Sequence, residues 1–193
     1  MRIAALLLIM ACAAGCASKP DYYIAPAPVS IPKTATYWVE SFDLKLEGES
    51  DLFMSRKELE DGIKLKLIER LKQANRYAAT KESADYLLDV DSVYTRRLSN
   101  SKGGLISHIV DDNIILASVD FSYEVSVSRS AGEVLHFGQV KTELQPGGAI
   151  GQWQNLRTAA SVFTNKSNAG VENFYVDLLP RFIVDDVKNI PSR

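Results

Sequence analysis

Trp38, Phe42, Leu44 and Leu46 alternate with Tyr37, Ser41, Asp43 and Lys45 over 36–46, a period that predicts a strand with one mostly buried face. The period then lengthens. Leu59, Ile63, Leu67 and Leu71 recur at four-residue spacing, with Ile68 and Ala74 beside them. Ser55-Arg56-Lys57-Glu58 ahead of them has the form of a capping box, in which hydroxyl and carboxylate each satisfy a free backbone amide at a helix start. An amphipathic helix ending near Asn75 is expected. A second strand is expected over 85–98, with Tyr86, Leu88, Val90 and Tyr94 on one side and Asp89 and Asp91 on the other.

The longest alternation comes next. Ile115, Ala117, Val119, Phe121, Tyr123, Val125 and Val127 share one phase, while Ser118, Asp120, Ser122, Glu124, Ser126 and Ser128 share the other, wet one. Ser130-Ala131-Gly132-Glu133 signals a hairpin into a strand over 134–144, whose apolar phase shifts around Gly138 as a bulge would make it do. Pro146-Gly147-Gly148 breaks the sheet. Trp153, Leu156, Ala160 and Phe163 follow at helical spacing, although 158–163 also fits an extended reading. A final helix is expected over 169–189 with Val171, Phe174, Leu178, Phe182, Ile183 and Val187 inward, and Pro180 should kink or divide it. The fold class that follows is α+β, a two-layer sandwich of a mostly antiparallel sheet with two or three helices packed on one face.

The first residues fit no such element. Arg2 is followed by an uncharged run from Ile3 to Ala14, too short for a bilayer, which takes about 20 residues, but suited to an export signal. Ala13-Ala14-Gly15-Cys16 resembles the bacterial lipobox, with Ala13 where Leu, Val or Ile is usual; Ile9-Met10-Ala11-Cys12 is a poorer competing frame. An ordinary secretory signal is the alternative. No cysteine follows Cys16, so after cleavage before it, which removes Cys12, that thiol has no intramolecular disulfide partner. The resemblance implies cleavage before Cys16, a lipid anchor on it and, with Ala17 rather than Asp next, the periplasmic face of the outer membrane. The organisation expected is a lipoprotein signal at 1–15, a lipidated cysteine and Pro-rich tether at 16–35, and one domain at 36–193. Pro20, Pro26, Pro28 and Pro32 keep the tether from forming a helix, and at about 3.1 Å per residue its nineteen residues after Cys16 reach roughly 60 Å. Tyr22, Tyr23 and Ile24 interrupt it with apolar surface suited to docking on this domain or on a partner.

With 22 Lys plus Arg against 24 Asp plus Glu, the net charge of −2 points away from nucleic acid. Hydrophobic residues at 46% and charged residues at 24% exclude a disordered chain. No catalytic motif is present. His108 and His136 are the sole histidines, so no metal site or cofactor is expected. Asp111-Asp112 with Asp89, Asp91 and Asp120 reads as solvated charge rather than a calcium loop. The serines lack the nucleophile-elbow pattern, and Lys102-Gly103-Gly104 lacks phosphate-loop spacing.

Leu105, Ile106, His108, Ile109 and Val110 place apolar residues in what should be a connection between strands. They form either a short element tucked onto the domain or a partner-facing tip. The succession of lipobox, Pro-rich tether, strand, amphipathic helix, a strand opened by Ala84-Asp85-Tyr86-Leu87-Leu88, hairpin and C-terminal helix resembles a group of bacterial envelope lipoproteins. These are the curli-secretion lipoproteins, the penicillin-binding-protein activators, the auxiliary lipoproteins of lipid-transporting ABC systems and the YajG-like lipoproteins. The resemblance implies a non-enzymatic domain, anchored through Cys16, that binds another envelope protein as an adaptor or assembly factor. A carrier of an apolar ligand and a ring-forming secretion component are the alternatives it leaves.

Overall fold

The computed structural model describes residues 22–24, 31–51, 53–100, 114–129, 132–144 and 169–190. The elements are β1 (Tyr22–Ile24), β2 (Tyr37–Glu47), α1 (Arg56–Gln73), β3 (Tyr86–Asn100), β4 (Ile114–Arg129), β5 (Gly132–Leu144) and α2 (Ala169–Lys188). The strands form one sheet in the order β1-β5-β4-β3-β2. Neighbours are antiparallel except β2 and β3, which run parallel because α1 carries the chain back between them. Both helices pack on one face, so the α+β two-layer sandwich is observed, with two helices among the described residues. The region 153–163, expected to be helical, lies outside them.

Helix α1 follows its pattern closely. Leu59, Ile63, Leu67 and Leu71 are its buried residues. The capping box forms: Ser55 N–H donates to Glu58 Oε2 at 2.8 Å and Glu58 N–H donates to Ser55 Oγ at 3.3 Å. That bonding holds the Glu58 carboxyl below its ordinary pKa, chiefly through the backbone amide of Ser55. At the other end Asn75 takes φ 55°, the left-handed conformation that ends many helices.

Strand β2 departs from strict alternation. A bulge between Val39 and Ser41 resets its phase, so Tyr37 and Val39 face the helices before it and Phe42 and Leu44 after it. Trp38, expected on the buried face with Phe42, therefore lies on the other side, stacked on Tyr77 with ring centroids 5.3 Å apart. In β5 the register slips opposite Phe121 and Tyr123, between Gln139 and Thr142, just beyond the expected bulge at Gly138.

Helix α2 has the expected span, and Ile183 and Val187 face inward as expected, but the rest of its inward face is turned. Tyr175, Val176, Leu179, Ile183, Val184 and Val187 are buried, whereas Phe174, Leu178 and Phe182 are half-buried. The stripe is turned because Glu172 and Asp186 are on it, both fully buried. The helix also runs through Pro180 undivided. The chain joins the fold ahead of 36: Ile31 and Ala35 are in the core, and β1 pairs with β5 through Tyr22↔Gly138, Tyr23↔Phe137 and Ile24↔His136.

Candidate functional site

The face of the sheet turned to the helices is closed. Among its large buried side chains Leu59, Ile63, Leu67, Leu88, Val125, Phe137, Leu179 and Ile183 have no exposed surface. Several polar groups inside are tied to one another, although the buried Tyr175 hydroxyl has no hydrogen-bond partner among the described residues. Arg96 on β3 forms a two-pronged ion pair with Glu172 on α2, Nε to Oε1 and Nη2 to Oε2 both at 2.8 Å. Tyr94 Oη donates to Glu172 Oε1 at 2.9 Å, Met54 N–H donates to Oε2 at 2.8 Å, and Arg96 also donates to the Met54 carbonyl. Burial and the adjacent carboxylate push the Tyr94 hydroxyl far above its ordinary pKa. Tyr175, buried beside the same carboxylate, is pushed up to about 12, mainly by burial. A second tie runs from Tyr123 Oη to Asp186. This network satisfies buried charge between β3, α2 and the segment before α1, and it offers no open position for a substrate.

The opposite face is exposed along its middle. The register sets Asp43 of β2 beside Asp91 of β3, and Asp91 opposite Glu124 of β4, so three exposed carboxylates cross adjacent strands in a row. Asp43 and Asp91 have no ion pair among the described residues, while Glu124 Oε2 lies 3.4 Å from His136 Nε2. Lys45 is held by Glu47 at 2.9 Å and Lys81 by Glu40 at 2.6 Å. Of the aspartates expected on this wet face, Asp91 is exposed, Asp89 is half-buried and accepts from Ser41 Oγ at 2.6 Å, and Asp120 is buried at 3% exposure. Asp120 departs from the expectation because Arg97 Nε donates to it at 2.8 Å, which lets a carboxylate leave water.

His136 is half-buried on this outer face, and β1 covers the edge that β5 would otherwise present. Ser126 Oγ and His136 Nδ1 are 3.0 Å apart, and Glu124 completes the connectivity of a nucleophile, base and acid. The pair is a directly opposed cross-strand contact in the β4–β5 ladder. Backbone amides around it serve the ladder and leave no paired donors for an oxyanion. No group of three or more His, Cys, Asp or Glu among the described residues is placed to hold a metal ion. No helix among them is long and apolar enough to cross a membrane.

Between the C-terminal turns of α1 and α2 lies a polar cleft of about 280 Å³, whose walls include Arg70, Arg181, Asp185 and Lys188. Its cations are already engaged: Arg70 and Arg181 with Asp177 at 3.0 and 3.4 Å, and Lys188 with Asp185 at 4.0 Å. Cys16, Leu105, Ile106, His108, Ile109 and Val110 lie outside the described residues, as do Asp111 and Asp112. Sequence reasoning placed Asp43 and Asp91 on wet faces and missed that they are neighbours, since that depends on the parallel pairing of β2 with β3. No protein-family model matches the chain, and no curated protein or solved structure matches it.

Proposed function

We propose that this chain is a lipid-anchored adaptor of the bacterial cell envelope, held at the periplasmic face of the outer membrane through Cys16 and acting on another envelope protein by contact rather than by catalysis. The observation that carries the reading is the contrast between the two faces of the sheet. One is packed against both helices, with the buried Glu172 carboxylate paired to Arg96; the other is exposed along a row of carboxylates from three strands. Exposed polar surface on a rigid sheet suits recognition of a partner. Among the described residues the side chains between helices and sheet are packed together and the cleft at the helix ends is polar, which favours contact over carriage of an apolar ligand.

The test is made in intact cells. Palmitate labelling and membrane fractionation should follow Cys16 and be lost in Cys16→Ser. A photo-crosslinking residue at Ile109 should give one discrete adduct that requires the anchor. Absence of label together with absence of any adduct would overturn the reading.

A further inference from the structure

Strand β2 ends the sheet, and among the described residues its outer edge is covered only at the start. There Tyr37 N–H donates to the Arg76 carbonyl at 2.8 Å, and Ala78 N–H donates to the Tyr37 carbonyl at 2.9 Å. Backbone polar groups in a strand change direction with side-chain face. Phe42, Leu44 and Leu46, on the same face as Tyr37 beyond the bulge, therefore turn their N–H and C=O groups outward, away from β3. Asp43, on the other face, turns its carbonyl toward β3, where it accepts from Ser92 Oγ at 3.0 Å. An edge strand of this length is a template for further pairing unless it is blunted. The bulge and the Arg76–Ala78 segment blunt the first part of β2, and the run from Phe42 to Glu47 keeps a regular register with β3.

We infer that this run takes an extended segment of an envelope partner by strand addition, with Lys or Arg at the position that falls beside Asp43. The inference rests on the adaptor reading and names its partner's chemistry. Asp43 and Asp91 are like charges in directly paired positions, an arrangement that destabilises a bare sheet. Asp91 occupies one flank of Asp43 and, among the described residues, the other flank is the uncovered edge, so a cation on an added strand relieves the repulsion. The neighbouring cation, Lys45, is already held by Glu47. A second copy of this chain would bring the same excess of carboxylate, which makes a basic segment the better occupant.

The probe is an eight-residue peptide alternating Lys and Val, with a counterpart carrying Glu for Lys, added to the isotopically labelled full chain in detergent micelles. The Lys-Val peptide should slow amide hydrogen exchange at Phe42, Leu44 and Leu46 by about tenfold once free peptide reaches about ten times its dissociation constant, and leave Lys45, bonded toward β3, unchanged. The Glu-Val peptide should not. Asp43→Asn should weaken the effect, and Asp43→Lys with Asp91→Lys should reverse the preference at unchanged circular dichroism. Equal slowing by both peptides, slowing at other residues, or none would overturn the inference. Slowing that grows with protein concentration in the absence of peptide would overturn it in favour of a second copy. Palmitate labelling of Cys16 does not depend on Asp43 or on this edge, so the adaptor reading stands or falls separately.

Discussion

Helix α1 sets Leu59, Ile63, Leu67 and Leu71 against the sheet and buries none of its charged side chains, whereas α2 carries Glu172 and Asp186 into the interior. The first arrangement rests on apolar area and cap chemistry and can be read from spacing alone. The second depends on partners elsewhere in the chain: Arg96 and Tyr94 for Glu172, and Tyr123 for Asp186. A buried ion pair adds little over an apolar substitute of the same volume, yet removing one member leaves an uncompensated charge. The two helices should therefore fail in different ways.

The largest effect should come from Arg96→Met, which leaves the Glu172 carboxylate buried without its cation and should cost about 3–5 kcal/mol, read as a fall in the urea midpoint of the full chain. Arg96→Met combined with Glu172→Leu should recover much of that loss; a double variant as unstable as the single one would show that the pair is more than mutual compensation. Leu67→Ala in α1 should cost about 2–5 kcal/mol by opening a cavity, with no second substitution in α2 able to compensate. Recovery there would erase the contrast between the helices.

The smallest effect is at high pH. Tyr175 has its folded pKa raised from 10.0 to about 12, so its contribution to stability is complete below pH 10 and is lost as pH rises toward the folded value. Ultraviolet titration should show Tyr175 ionising above pH 11, with the difference from Tyr175→Phe locating its step. Ionisation near pH 10 would place the ring outside the α2 interior.

The same contrast explains what the sequence made legible. Alternation in β3 and in β4 from Phe121 to Val127 and the four-residue stripe of α1 report burial directly, and Ser55 and Glu58 mark the helix start through local bonds. The inward face of α2 was legible only at Ile183 and Val187, because Glu172 and Asp186 look like surface charge until Arg96 and Tyr123 are brought to them. The face of Trp38 was misread because one bulge inverts every side chain upstream of it. At the candidate site the carboxylates were visible as solvated residues, but their row requires a parallel register that a crossover sets and spacing along the chain does not encode.

Strand β1 shortens the leash. With a lipid on Cys16, as proposed, docking of Tyr22–Ile24 on β5 leaves six peptide steps from Cys16 to Tyr22, at most about 20 Å of free chain. Under that proposal the β5 flank would be held close to the bilayer. The far flank, β2, sits four strand spacings away, about 19 Å along the sheet, so with such an anchor the three residues of β1 would act as a rudder that gives the domain a membrane side and an outward side.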